Sequence, residues 1–337
     1  MLSESSGPLV AAHDLVALDL DGVVYIGNQA VEHAAEALLG VQEAGTAVAF
    51  VTNNASRTPE VVAEHLRELG IRAAATDVVT SAQAAARLLA DRLPAGGRVW
   101  LLGGTGLEVA LTEVGLTAVV DDPSGIDAVV QGYGPEMAWK RVISGAILVN
   151  EGRFWVACNR DRTMVTPAGV GPGNGALVDL VATFAGREPL VAGKPEKPLL
   201  EETQRRFAAQ TPLFVGDRLD TDMAGANNVG WPSLLVRTGV TTLTDLVAAR
   251  PGERPSYIAR DLRGLHEPHP QPRQVEGAWV LGGWRATTES DGFLVVDGSG
   301  TDDDWWRCAA SAAWAFVDNH QHPQGEAARV DRLRPPR

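Results

Sequence analysis

Leu15-Val16-Ala17-Leu18-Asp19-Leu20-Asp21-Gly22 sets an unbroken apolar run against two carboxylates spaced two residues apart and closes on a glycine. The apolar run reads as a strand buried on both faces of a parallel sheet. The carboxyl ends of such strands are where open α/β sheets bind ligands. Two neighbouring carboxylates repel each other, so either one holds a proton or a divalent cation offsets both. A solvated aspartate pair at a strand-to-loop junction fits the same eight residues, and the rest of the chain has to separate the two readings. An EF-hand loop does not fit, because its fifth position would be Val23 and no Glu stands at its twelfth.

Three further segments repeat the pattern of an apolar run that ends in a group suited to phosphate or metal. Ala47-Val48-Ala49-Phe50-Val51 ends in Thr52-Asn53-Asn54, a hydroxyl followed by backbone amides that could donate to an oxyanion. Leu190-Val191-Ala192-Gly193 ends in Lys194-Pro195, which places an ammonium at a strand tip. Pro212-Leu213-Phe214-Val215-Gly216 ends in Asp217-Arg218-Leu219-Asp220-Thr221-Asp222, a second acidic cluster. The four segments supply a nucleophile candidate, a hydroxyl, a cation and metal-ligating carboxylates at one edge of one inferred sheet. Lys194 stands out because the chain holds only three lysines, Lys140, Lys194 and Lys197, against 26 arginines. A compact ammonium can bridge a carboxylate and a phosphoryl oxygen as a point charge, whereas a guanidinium imposes fork geometry.

In order and in residue type these segments resemble the motifs of the haloacid dehalogenase superfamily of phosphatases, across about residues 10–265. Val51-Thr52-Asn53-Asn54, the string from Gly216 to Asp222 and the long insert before Gly193-Lys194-Pro195 resemble the branch of p-nitrophenyl-phosphate, phosphoglycolate and glycerol-phosphate phosphatases. The resemblance implies that Asp19 is the nucleophile, Asp21 the general acid and base, and Thr52 and Lys194 the catalytic phosphate binders. Gly22, Asn53 and Asn54 would complete the phosphate site. It also implies Mg²⁺, held by Asp19, the Asp21 main-chain carbonyl and Asp217, with Asp222 orienting metal waters. Hydrolysing a phosphate monoester brings an anionic nucleophile to an anionic phosphorus, so charge neutralisation and positioning dominate. Asp19 would form an aspartyl-phosphate, while Asp21 would protonate the leaving alkoxide and then take a proton from the attacking water. A receiver domain of signalling proteins would be shorter and would carry no insert. A catalytically silent metal- and phosphate-binding regulator is the other alternative.

The motifs divide the chain. The expected architecture is α/β: a Rossmann-like parallel-sheet core from residues 1–81 and 190–265, with an inserted α/β cap domain at 82–189 and a small C-terminal α+β extension. In the core, helices are expected at 31–44 and 58–69. In the cap, strands are expected at 98–102, 117–120, 127–131 and 153–158, with helices near 107–114, 136–149 and 174–186. An insert of this length needs its own core, and the resemblance makes it the lid that excludes water and reads the substrate. Asn159, Arg160 and Asp161 are its candidate reading residues. Arg160 and Arg162 would suit a carboxylate such as that of 2-phosphoglycolate, and Asn159 and Asp161 the hydroxyls of glycerol 3-phosphate, which is the first expectation. Gly171-Pro172-Gly173-Asn174-Gly175 opens a helix as a capping turn or as an anion site. Gly103-Gly104-Thr105-Gly106 lacks a full dinucleotide fingerprint and reads as a turn.

Residues 266–275, with prolines at 268, 270 and 272, read as a linker to a separable extension over 276–330. Five of the nine tryptophans, Trp279, Trp284, Trp305, Trp306 and Trp314, fall in that extension, which argues for a folded element. A hairpin or two strands are expected between Gly277 and Val296 and a helix over 304–319. Asp302-Asp303-Asp304 reads as its N-cap. Oligomerisation or docking is the expected role.

A formal charge of −13 argues against non-specific nucleic-acid binding. No apolar run reaches the roughly 18 residues of a membrane span, and the first ten residues lack the pattern of a signal peptide. Cys158 and Cys308 are too few for a disulfide framework. These features point to a cytoplasmic enzyme that acts on a small phosphorylated metabolite, with homo-oligomerisation open.

Overall fold

The Leu15–Leu18 strand is buried at all four positions, as an apolar run without alternation requires. It pairs in parallel with Pro212–Gly216 in the register Leu15 to Pro212 and Leu18 to Val215. Pro212–Gly216 pairs in parallel with Ser233–Val236, and that strand with Tyr257–Ala259. Asp19 and Asp217 therefore leave neighbouring strands at the same end, and Asp19 N still donates to Val215 O at 2.9 Å. In this computed structural model, which describes residues 1–166, 169–319, 328–331, 333 and 335, the chain forms two compact units. One comprises 1–48 with 209–337, the other 49–208.

The first unit also holds the C-terminal extension. Arg273–Val275, Ala278–Leu281, Trp284–Thr288 and Leu294–Gly298 form a four-stranded antiparallel sheet in that order, followed by a tryptophan-rich helix, Asp302–Asn319. The sequence anticipated a hairpin or two strands here. Trp279, Trp305, Trp306 and Trp314 join a single apolar core with Met223, Leu235, Leu246, Val247 and Ile258 of the parallel-sheet layer. Trp314 Nε1 donates to Leu246 O at 2.8 Å and Arg307 donates to Ile258 O. The extension is thus continuous with the core it follows, in contrast to the separable unit expected from its prolines. The expected linker is also built in. Ser5 and His269 exchange backbone hydrogen bonds, and buried His269 lies between Gly264 O and Arg307. The first turn of the helix corrects a further expectation. Thr301 Oγ1 accepts from Asp304 N at 3.2 Å and is the cap, while Asp302 and Asp303 take Arg237 and Asp304 takes Arg307.

The Ala47–Thr52 strand starts in the first unit, where Ala47 N donates to Asp14 O, and runs into the second. There it pairs in parallel with Val78–Thr80. Thr58 caps the Pro59–Glu68 helix with proline at its first position, and Thr80 with Gln83 forms a capping box for Ser81–Ala90. A five-stranded parallel sheet follows in the order Leu190–Val191, Phe154–Ala157, Ala128–Gln131, Arg98–Leu102, Thr117–Val119. Helices Thr105–Glu113, Trp139–Asn150 and Asn174–Ala185 accompany it, close to the expected positions. Trp100, Leu102, Val129, Trp155, Val178 and Val181 fill its core. Two antiparallel hairpins were not anticipated: Tyr25–Ile26 with Gln29–Ala30, and Thr163–Thr166 with Gly169–Pro172.

Candidate active site

In the first unit the register of parallel strands gathers carboxylates. Asp19, Asp217 and Asp222 each offer an oxygen within 4.8 Å of the others, with Asp217 and Asp222 buried and Asp19 half-buried. This is the acid cluster found among the described residues. A π-helical turn over Leu219–Met223 brings Asp222 back under the strand end. There Asp222 Oδ2 accepts the N–H groups of Asp217 and Arg218 at 3.2 and 3.1 Å. Asp222 therefore braces the turn that carries Asp217. Asp21 is exposed and its side chain stands outside the cluster.

Asp217 is held by a segment that residue chemistry had not singled out. Val240 N donates to Asp217 Oδ2 at 2.8 Å and the Thr241 hydroxyl to the Asp217 carbonyl. Thr238 donates its hydroxyl to Gly22 O at 2.6 Å. A Cβ at Gly239 would lie 1.8 Å from Asp217 Oδ2, and one at Gly22, where φ is +83°, would lie 2.6 Å from it. Only glycine fits at either position. The sign available in the sequence was the glycine just beyond the strand end, in Arg237-Thr238-Gly239. Gly22 was expected to bind phosphate, but its N–H donates to Tyr25 O at 2.8 Å, so its place is against Asp217. Three hard carboxylate oxygens, converging where the backbone is kept clear by two glycines, fit a small divalent cation of the Mg²⁺ type.

In the second unit the other motifs meet around Asn53. Its Oδ1 accepts Lys194 N at 2.8 Å and its Nδ2 donates to Lys194 O at 3.0 Å. The same Nδ2 reaches the Asp161 carboxylate at 3.3 Å. Asn53 O accepts both the Ser81 hydroxyl at 2.6 Å and Asn159 Nδ2 at 2.7 Å. The Asn53 side chain is thus engaged in organising Lys194 and the Asn159–Asp161 loop. Thr52 Oγ1 accepts Asn54 N at 3.0 Å, which directs the hydroxyl proton elsewhere and takes up the Asn54 amide expected on phosphate. Asn54 Oδ1 accepts from Ser56 N and Oγ. Lys194 is buried.

Arg160 corrects another expectation. Its guanidinium donates to Glu188 at 2.7 Å and Asp179 at 2.8 Å, and those partners hold its pKa above the ordinary value. Satisfied in this way, it is not arranged to take a substrate carboxylate, and Arg162 approaches Asp179 only at 3.5 Å. The Gly171–Gly175 turn is a packing turn. Gly173 N donates to Arg162 O and Gly175 N to Asp161 O, and a Cβ on Gly173 would lie 2.2 Å from Asp161 O and one on Gly175 2.3 Å from Arg160 O. Gly106 likewise sits against the carbonyls of Ala55 and Arg57. Cys158 is fully buried, and burial pushes its thiol far above the ordinary range. Cys308 is pushed up to about 12, so both are structural thiols.

An acidic cluster on adjacent parallel strand ends, with the Thr52 and Lys194 segments between its members in sequence, is the signature of one hydrolase class, and the chain belongs to it: the haloacid dehalogenase-like hydrolases. The family model of that description matches residues 16–117, and a second, HAD-hydrolase-like model matches 191–265. Among individual proteins, D-glycerol 3-phosphate phosphatase of Mycobacterium tuberculosis is 42% identical over 333 residues, 96% of this chain and 92% of that one. The crystal structure of glycerol phosphate phosphatase from the same organism, in complex with magnesium, superposes with a TM-score of 0.83. It is 40% identical over 91% of this chain and 92% of that chain. The acid sugar phosphatase of Staphylococcus aureus is 34% identical over 247 residues, 73% of this chain and 93% of its own. No helix among the described residues is long and apolar enough to cross a membrane.

Proposed function

We propose that this chain is a Mg²⁺-dependent phosphatase that hydrolyses glycerol 3-phosphate to glycerol and phosphate. The observation that carries the reading is the extent of the match. The 42% identity to the mycobacterial enzyme runs over 96% of the chain and so takes in the tryptophan-rich extension, whereas the acid sugar phosphatase match stops at 73%. The engagement of Arg160 by Asp179 and Glu188 removes the main support for 2-phosphoglycolate.

In this reading Asp19 attacks phosphorus and Asp21 carries the proton to the leaving alkoxide and later from water. The Thr52 hydroxyl and the Lys194 ammonium hold the phosphoryl oxygens, with Lys194 offsetting charge that builds in the transition state. Asp19, Asp217, Asp222 and the Asp21 carbonyl would hold Mg²⁺ directly or through water. When bound, the ion supplies charge neutralisation at the phosphoryl group. Residues 1–81 and 190–265 serve as the hydrolase core, apart from Leu190–Val191, which pairs with Phe154–Ala157, and 82–189 as the cap, where Asn159 and Asp161 would meet the glycerol hydroxyls.

Phosphate release from glycerol 3-phosphate, 2-phosphoglycolate and p-nitrophenyl phosphate, each with Mg²⁺ and with EDTA, tests the reading. The expected result is EDTA-sensitive turnover with the highest kcat/KM for glycerol 3-phosphate. A preference for 2-phosphoglycolate would overturn the substrate, and no Mg²⁺-dependent release from any of the three would overturn the activity.

A further inference from the structure

The donors around Asp217 and Gly22 come from one short segment, Thr238 to Thr241, that leaves the Ser233–Val236 strand through Arg237. Arg237 is fixed from the opposite side by the C-terminal extension. Its Nη2 donates to Asp302 at 2.5 Å and to Asp303 at 2.8 Å, and its guanidinium lies 4.6 Å over the Trp306 ring. The three side chains are 11%, 20% and 18% exposed, so the charge-assisted bonds form largely out of water, where such bonds are strong. Beyond Arg237 the segment has little slack. Gly239 is so close to Asp217 that even a methyl group would collide, and Val240 N must stay within hydrogen-bond reach of Asp217 Oδ2. A displacement of about half an ångström is enough to spoil a ligand geometry of this kind.

We propose that Asp302 and Asp303 are positioning residues for the metal site. By holding Arg237 they set where the 238–241 segment begins, and that segment sets the orientation of Asp217. The extension is then a working part of the hydrolase, although it supplies no metal ligand. The proposal rests on the reading of Asp19, Asp217 and Asp222 as the metal ligands.

The same helix provides its own control. At its far end Asp318 accepts both Arg254 Nη atoms at 2.7 and 2.8 Å, and Arg254 lies 5.2 Å over Trp314. That clamp is similar in chemistry, but Arg254 does not lead into the 238–241 segment. Mn²⁺ binding to the full chain, followed by electron paramagnetic resonance, separates the two. Asp302→Asn with Asp303→Asn is expected to raise the Mn²⁺ dissociation constant about tenfold, at the low end of the effect of outer partners on metal affinity. At saturating Mg²⁺ kcat should stay within about twofold of the parent, because the loss lies in ion affinity rather than in the transition state. Arg237→Lys, which keeps the charge but not the planar guanidinium over Trp306, should weaken Mn²⁺ in the same direction by less. Asp318→Asn should lower Tm and leave Mn²⁺ affinity unchanged. The positioning role is overturned if the double variant binds Mn²⁺ within twofold of the parent, or if Asp318→Asn weakens it equally. Should the double variant not fold, equal Mn²⁺ affinities of Arg237→Lys and Asp318→Asn overturn it. A parent chain that binds no Mn²⁺, or an Asp217→Asn variant that binds it normally, would instead remove the metal reading itself.

Discussion

Ending the chain after Glu267 removes the antiparallel sheet and the tryptophan-rich helix, and the shared core sets the cost. Leu235, Leu246, Val247 and Ile258 are buried to 1% exposure or less, in the same cluster as Trp279, Trp305, Trp306 and Trp314. Re-exposing a fully buried side chain of this size costs roughly 1.5–3 kcal/mol, so four amount to about 6–12 kcal/mol. That is comparable with the whole stability of a typical domain, about 5–15 kcal/mol. Arg237 and Arg254 would also lose their carboxylate partners and the tryptophan rings that cover them. The 1–267 fragment is therefore expected to be insoluble or to melt without a cooperative transition, measured by size-exclusion chromatography and a thermal scan beside the full chain. A monodisperse fragment with a Tm within a few degrees of the parent would refute the argument from the shared core.

Asp19→Asn should abolish turnover, since an amide cannot form the acyl-phosphate, and Asp21→Asn should cost about 10²-fold or more in kcat; near-parental steady-state rates for Asp19→Asn would exclude it as nucleophile. Gly239→Ala forces a methyl group onto Asp217 Oδ2 and should weaken Mn²⁺ binding roughly 10–100-fold, as read by direct titration. Stability should fall in two stages on acidification, as followed by denaturant unfolding at several pH values. Burial lowers the pKa of His269 to about 4, so between pH 6.5 and 4 the unfolded chain takes up a proton that the folded chain refuses. The first stage should flatten in His269→Asn. The second comes from carboxylates held low by arginine, Asp318 by Arg254 and Glu202 by Arg205 and Arg206 against the opposing effect of its burial. Their contribution is present above the ordinary carboxylate range and is lost as pH falls through their depressed values.

The strands that carry Asp19, Thr52 and Asp217 were legible because each is an apolar run that ends abruptly in polar residues, and burial on both faces demands that composition. In the second unit the strands at 98–102, 117–119, 128–131 and 154–157 were legible for the same reason, and the helices at 105–113, 139–150 and 174–185 to within three residues, whereas the Ser81–Ala90 helix was not expected. Two hairpins were not, because strands of two to four residues are too short to show a period. The 238–241 segment was hidden for a different reason. It acts through backbone N–H groups, threonine hydroxyls and the absence of a Cβ, and none of these marks a residue as functional before the fold brings it to Asp217. Arg160 looked available because its partners, Asp179 and Glu188, are remote in sequence and meet it only through the fold of the second unit. The prolines before Arg273 suggested a break in the chain. They said nothing of the tryptophans beyond, whose burial needed a surface that the preceding strands provide.

Asn53 has a consequence for how relatives of this chain can diverge. Its side chain ties the backbone of Lys194 and the Asp161 carboxylate, and its main-chain carbonyl accepts from Ser81 and Asn159. Aspartate at this position would lack the amide donor and would set a second negative charge against Asp161, while alanine would release Lys194 and Asp161 together and keep only the main-chain carbonyl for Ser81 and Asn159. Drift in the Asn159–Asp161 loop is therefore coupled to the Lys194 turn, and neither can change alone without disturbing the other. Selection for a new leaving group has freer ground at positions outside this knot, so substrate range can shift among descendants while Asn53 stays fixed.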